Sequence, residues 1–426
     1  MSPCDARLCR AYEDILAAEL VPAMGCTEPI AIAYAGALAR RTLGALPEAL
    51  ELVVSSNIIK NAKSAVVPNT GGRKGLAAAV AAGAVAGDAD RALEVLAGVA
   101  AAQHQEIDAY LARCPITVAV APGDAVFDIL VTARAGADTA RVRITGCHTN
   151  LVLLEKNGEA VLSRPADEAA QQSGAYALLK VADIFNYAVS CDLAPTWDLL
   201  ERQIIDNSAI RDEGLTGKWG AAIGAVLLRR QGRGVDTRAK AAAAAGSDAR
   251  MSGCELPVVI NSGSGNQGMT ASLPVIEYAA ELGAGRETLH RALLLSNLLT
   301  IHLKTGIGCL SAYCGAVSAG CAAGAAIAWL CGGDLDAVSH TLVNALAIAS
   351  GMICDGAKPS CAAKIATAVD AGLLGWHMYQ EGRQFYDGDG IVSKGVENTI
   401  ANVSRVGRIG MRGTDREIIH IMLGKA

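Results

Sequence analysis

The stretch GIGCLSAYCGAVSAGCAAGAAIAWLCGG at residues 306–333, taken with GMICDGAKPSCAAK at residues 351–364, decides how the rest of the chain is read. Cys314 lies in the first run and Cys354 in the second, forty positions on. Cys361 follows Cys354 by seven positions, across a Pro-containing turn from Asp355 to Ser360. The apolar residues between the two runs have helical periodicity, so the stretch reads as a helical hairpin with thiols at its ends. Three thiols so placed can hold a metal centre and leave one corner free for a substrate. Thiolate is the usual ligand of iron–sulfur clusters, and an open coordination position separates a catalytic metal from a structural one.

With 426 residues the chain is long enough for two or three packed units and a large core. Charged residues are 19% and hydrophobic ones 52%, the balance of a globular rather than a disordered protein. Aromatics are only 4% while Ala and Gly abound, and small side chains let helices approach closely. A net charge of −5 without a basic cluster argues against nucleic acid as a partner. The N-terminal MSPCDARLCRAYEDILAAEL has no basic segment ahead of an apolar one, so a cytoplasmic location is expected. Thiols stay reduced there, and thirteen cysteines then point to metal or catalytic roles and core packing rather than disulfides. Residues 307–333 carry no charge, a length that raises the question of a membrane span. Their Ala, Gly, Ser and Cys content, without flanking basic or aromatic anchors, favours a buried hairpin and no membrane.

From the N-terminus, residues 6–43 read as two helices broken at LVPAMGCTEP. Thr27 can cap the second helix, with Pro29 in its first turn. Cys26 then stands near a helix N-terminus, where the dipole favours thiolate; the plain alternative is a buried thiol in a bend. A strand is expected over 51–59, running into a loop, 60–75, that holds Lys60, Asn61 and Lys63. Such a loop can offer cations and backbone N–H groups to a carboxylate, or it is a solvated turn. Residues 76–102 read as an Ala-rich helix. Period-two alternation from Cys114 to residue 165 reads as an antiparallel meander, with His148 and Asn150 at a strand end facing either a cleft or solvent.

After Pro165 the pattern is helical, over 166–190, 194–207, 217–231, 235–250, 268–283, 285–303, 311–331, 335–352, 360–380 and 414–424. One loop interrupts it, where Asn261, Ser262, Ser264 and Asn266 share a glycine-rich turn before a helix. Glycines there allow consecutive N–H groups to meet an anion, and the polar side chains add to that reading. The expected fold class is α+β: an antiparallel-sheet α+β unit packed on a larger, mainly helical domain. Its parts are N-terminal helices carrying GCTEP (1–50), a sheet unit (51–165) and a helical cluster-binding domain (166–426).

Taken together, GCTEP (25–29), SNIIKNAKSAVVPNTGGRKG (56–75), GCHTN (146–150), INSGSGNQGMTASLPV (260–275), IHLKTGIGCLSAYCGAVSAG (301–320), GMICDGAKPSCAAK (351–364) and GMRGTDREIIHIM (410–422) resemble the L-cysteine desulfidase family, a group related to the α-chain of iron–sulfur L-serine dehydratases. The segments span nearly the whole chain in the family's order. In the serine dehydratases the glycine loop reads more like APTAG and the paired cysteines are farther apart, so the Cys354/Cys361 spacing favours the desulfidase branch. The resemblance implies a [4Fe–4S] cluster on Cys314, Cys354 and Cys361, with Cys26 as proton acceptor and Cys309 a rival to Cys314. It implies that L-cysteine and water give sulfide, ammonia and pyruvate, with L-serine dehydration by the same cluster as the alternative. The partner is then a small amino acid, and a homo-oligomer is compatible with it.

The residues suit that chemistry on their own terms. The α-proton of an amino acid is weakly acidic, and a Lewis acid on the β-leaving group with a positioned base overcomes this. Lys60, Lys63 and the loop from Asn261 to Asn266 are expected to hold the carboxylate and amine. Glu28 is the alternative base. A pyridoxal-phosphate dehydratase is the rival enzyme, since SGNQG resembles a phosphate loop, but a second Gly-rich run and strand–helix alternation after 165 are lacking. A structural zinc protein is the non-enzyme rival, and it would want close C-x-x-C pairs, which the chain does not have.

Overall fold

In the computed structural model, residues 5–165 and 174–424 are described. Helix α1 (Ala6–Glu19) is capped by Asp5, whose carboxylate accepts from the Arg7 N–H at 3.0 Å. Strand β1 (Pro22–Met24) leads to α2 (Thr27–Leu43), whose apolar Ala/Ile face is almost wholly buried. The expected strand is shorter than the sequence suggests. It is β2 (Ala49–Val54), and SNIIKNA turns into helix α3 (Ser56–Ala62). The Ala-rich helix α4 (Leu76–Ala86) likewise stops at Gly87, followed by a 3-10 turn (Ala89–Glu94) and α5 (Gln103–Arg113).

The strands β3 (Ile116–Val120), β4 (Asp128–Ala135), β5 (Asp138–Thr145), β6 (Leu151–Lys156) and β7 (Glu159–Ser163) complete a sheet of order β3-β2-β4-β5-β6-β7. All pairings are antiparallel except β2 with β3, whose parallel register needs the helical crossover through α4 and α5. Alternate residues Leu50, Leu52, Val54, Val131 and Val142 are buried on one face, where α2 packs with α4 against it.

The helical part runs α6 (Val181–Ser190), α7 (Trp197–Leu215), α8 (Ile223–Gln231) and α9 (Val235–Met251), then β8 (Pro257–Val259). It continues through α10 (Gly265–Glu281), α11 (Arg286–Ile307), α12 (Gly315–Leu330), α13 (Leu335–Ala349), α14 (Cys361–Gln380), α15 (Val396–Arg405) and α16 (Arg412–Leu423). Of the helix expected over 166–190, positions 166–173 lie outside the described residues. The α15 segment is not among the expected helices, and a π-turn (Val406–Gly410) joins it to α16. The architecture is α+β, as expected. Among the described residues no helix is long and apolar enough to cross a membrane.

Two features of this fold place the site. First, β1 pairs antiparallel with β8, so the chain enters from the helical part before α2 crosses to the sheet. Second, α12 and α14 run parallel and touch backbone to backbone. A Cβ on Gly320 would fall 2.4 Å from the Ala368 carbonyl oxygen, and one on Gly324 would fall 2.5 Å from the Gly372 carbonyl carbon. Only glycine permits that approach. The parallel course brings the N-termini of both helices to one place.

Candidate active site

Cys314 occupies the N-cap of α12, and Cys361 is the first residue of α14. Cys354 is brought to Cys314 by a short antiparallel bridge. The Cys314 N–H donates to the Met352 carbonyl at 3.0 Å, and the Cys354 N–H donates to the Ala312 carbonyl at 2.7 Å. Tyr313 and Ile353 face each other in that bridge, so Cys314 and Cys354 lie diagonally on its other side. Cys26 is the N-cap of α2, at the joint between β1 and the sheet, in a turn fixed by Gly25 at φ 58° packed on Pro68. The loop after β8 opens α10 at Ser264. Four helix N-termini, those of α2, α10, α12 and α14, therefore bound one cavity of about 100 Å³. Its positive ends favour anionic occupants.

Cys26, Cys314, Cys354 and Cys361 all line this cavity, with Glu28, His148, Arg250 and Lys304. The Cys26 thiol donates to Glu28 Oε2 at 3.2 Å, and the Thr27 hydroxyl spans Glu28 Oε2 at 3.2 Å and the Gly263 carbonyl at 2.9 Å. His148 Nε2 stands 3.9 Å from Glu28 Oε1, an ion-pair rather than a hydrogen-bond distance. Burial acts to raise the Glu28 pKa, but His148 and the Cys26 thiol outweigh it and hold it at about 2. Burial, reinforced by Glu28 and opposed by Arg250, pushes the Cys26 thiol well above its usual value. The helix-start thiol is thus a protonated donor to a carboxylate in this arrangement. Burial pulls both Arg250 and Lys304 down from their usual values.

The donor set can be tested against a cluster. Among the described residues no three His, Cys, Asp or Glu side chains are grouped to hold a single metal ion. A cluster makes a different demand, because each thiolate takes its own iron and the ligands stand farther apart. The three thiols lining one cavity suit that demand. Burial and the neighbouring Cys354 and Cys361 push Cys314 up to about 12, so a metal's charge is needed to draw the proton off. Three polar atoms on the cavity's residues, Gln267 Oε1, Arg250 Nε and His148 Nε2, are buried without a hydrogen-bond partner, which marks a place for a polar occupant. Cys309 also lines the cavity, from the turn after α11, whereas Cys321 is buried inside α12 and Cys331 lies at its far end.

Residues 90–420 match the family described as the serine dehydratase alpha chain. The chain belongs to that family. It is 57% identical over 420 residues to a UPF0597 protein of Desulfitobacterium hafniense, covering 98% of each chain. It is 48% identical over 415 residues to a UPF0597 protein of Finegoldia magna, covering 97% of this chain and 99% of the relative. A UPF0597 protein of Lachnoclostridium phytofermentans is 47% identical over 410 residues, with 96% of this chain and 98% of the relative covered. The stretch matched to the serine dehydratase family holds His148, Arg250, Lys304 and the three thiols of the hairpin, and begins after Cys26 and Lys60.

Of the residues singled out in the sequence, Asn61, His148, Ser262, Ser264 and Asn266 line the cavity with the four thiols. The others are engaged elsewhere. Lys60 is paired with Asp415 at 2.5 Å, and the Lys63 ammonium donates to the Met422 carbonyl at 2.6 Å, both on α16. The Asn150 amide donates to the Thr145 carbonyl at 2.9 Å, closing its own turn. Asn261 is buried against Asn297, donating to its side-chain oxygen at 2.9 Å. Gln267, from the same glycine-rich loop, also lines the cavity, and so do Arg250 and Lys304, to which no sequence signal points. Each of these two cations sits among other polar residues of its helix, so nothing local marks it, and its address in the cavity depends on packing.

Proposed function

We propose that the chain is an iron–sulfur lyase that removes sulfide and ammonia from L-cysteine to give pyruvate, with L-serine dehydration by the same site as the second reading. The observation that carries this is the meeting of Cys26 with Cys314, Cys354 and Cys361 at one small cavity ringed by helix N-termini. Cys314, Cys354 and Cys361 would hold a [4Fe–4S] cluster, which when bound supplies a Lewis acid for the departing sulfur or oxygen. A cavity of about 100 Å³ suits a small amino acid.

The chain's own residues then do the following. Glu28, ionised and buried, receives the substrate ammonium. Its negative charge is one of the causes that keep the Cys26 thiol protonated. An ammonium beside Glu28 offsets that charge, and Arg250 with the α2 N-terminus then favours the thiolate, the thiol proton passing to solvent water. The thiolate takes the α-proton as the β-substituent leaves, and the enamine so formed tautomerises and hydrolyses to pyruvate and ammonia. Ser262, Ser264, Asn266 and His148 wall the substrate in. All twelve described cysteines are free thiols, which supports a cytoplasmic, reducing setting for the enzyme.

The test is anaerobic reconstitution with iron and sulfide, followed by a pyruvate assay across L-cysteine, L-serine, L-threonine and their D-forms. Pyruvate from L-cysteine ahead of L-serine is the expected result. Pyruvate from neither, in protein carrying iron, overturns the reading.

A further inference from the structure

Among the described residues three lysine or arginine side chains are buried: Lys60, Arg250 and Lys304. Lys60 is neutralised by Asp415 at 2.5 Å. Arg250 donates from Nη1 to Asn266 Oδ1 at 3.2 Å and feels the charge of Glu28. Lys304 has no carboxylate within ion-pair distance and no hydrogen-bond acceptor among the described residues, although it is only 6% exposed. Its side chain lines the cavity instead of being sealed in the core, so an unpaired cation faces the enclosed space, a place suited to an anion.

We propose that Lys304 is the residue that binds the substrate's α-carboxylate. This rests on the amino-acid lyase reading above and assigns the third pole of that substrate. The β-substituent must face Cys314, Cys354 and Cys361. The ammonium goes to Glu28, the one carboxylate lining the cavity among the described residues. Arg250 is held by Asn266 at 3.2 Å and feels the charge of Glu28, so the cation left for the carboxylate is Lys304. It projects from the last turn of α11 and lines both this cavity and a neighbouring one of about 590 Å³, which share His148, Ser262, Gly263 and Cys309 with it. A carboxylate passing from the larger space to the smaller meets Lys304 on the way. The lysines of the 60–75 loop, whose composition invites the same role, are held on α16 instead.

The experiment compares wild type with K304M, K304Q and K304R, each reconstituted anaerobically, by calorimetric titration of L-alanine and L-alaninamide. L-alanine keeps both charged poles and lacks a leaving group, and the amide lacks only the carboxylate. In wild type the amide is expected to bind much more weakly than L-alanine. In K304M or K304Q, L-alanine should weaken by on the order of tenfold to a hundredfold, the range for a hydrogen bond to a charged group. The amide should be unaffected, iron content and visible spectrum unchanged, and K304R intermediate. The substrate KM should rise more than kcat falls. Unchanged L-alanine affinity in K304M and K304Q overturns the proposal, as does no L-alanine binding in wild type. So does an equal loss for both ligands together with lost iron, which would make Lys304 a counter-charge for the thiols. Should K304M not fold, K304Q and K304R carry the comparison. Wild type that binds L-alanine through Lys304 but turns over neither L-cysteine nor L-serine sinks the reaction and leaves Lys304 standing. Turnover with an unchanged KM in the variants does the reverse.

Discussion

Cys314 and Cys354 stand diagonally across a single antiparallel bridge, held by backbone bonds of 3.0 and 2.7 Å, although forty residues separate them in the chain. The bridge sets their spacing before any metal is present, and Cys361 joins them from the start of α14.

Changing Cys314, Cys354 or Cys361 singly to Ala should therefore remove iron and activity together, read by iron analysis and visible absorbance. Cys321→Ala and Cys331→Ala should keep both. Cys309→Ala tests the rival ligand, because Cys309 also lines the cavity. Iron lost in Cys309→Ala but kept in Cys314→Ala would reassign the first ligand.

Cys26→Ser should keep its iron, because the proposed ligands are the three other thiols. Turnover should fall by on the order of a hundredfold or more, the usual contribution of a positioned base. Exchange of the α-proton of L-serine in deuterated water separates the candidates. Exchange lost in Cys26→Ser but retained in Glu28→Gln supports the thiolate. The opposite pattern would move the role to the carboxylate.

Glu28 also gives a pH signature. Its folded pKa of about 2 lies below the ordinary 4.5, so its contribution to stability is complete above about 4.5 and is lost as the pH falls toward 2. Urea midpoints measured between pH 5 and about 2.5 should decline less steeply in Glu28→Gln than in wild type. Parallel slopes in the two proteins would show that Glu28 is not held down.

The Lys60–Asp415 pair fixes α16 to α3, with the Lys60 side chain wholly buried. Asp415→Asn leaves that ammonium unpaired and should cost about 3–5 kcal/mol in urea denaturation. Lys60→Met with Asp415→Leu should recover most of the loss, since a buried pair replaced by apolar groups is often neutral. A double variant as unstable as Asp415→Asn would count against the explanation.

The thiol positions were legible because each sits beside a local signal. Cys26 lies between Gly25 and a Pro-containing helix start, Cys314 precedes Gly315, and Cys361 follows the turn through Pro359. The meander and most helices were legible from periodicity. The Ala-rich run after Leu76 was read too long because alanine carries no face to mark its end, and only Gly87 stops it. Lys60 was placed in the site by its loop, while its partner lies 355 residues away. Arg250 and Lys304 look like ordinary cations near helix C-termini, where the dipole welcomes them, and tertiary packing alone turns them inward.

The glycine contact between α12 and α14 acts as a fulcrum. Gly324 lies about 15 Å along α12 from Cys314, at the rise of an α-helix. A tilt of about 4° at that crossing would swing the thiol by roughly 1 Å, as much as separates a well-set metal site from a loose one. The accuracy of the thiol triangle is thus stored three turns away, at glycines that line no part of the cavity. A methyl group at Gly324 is expected to leave the helices intact and misalign the sulfurs at their tips.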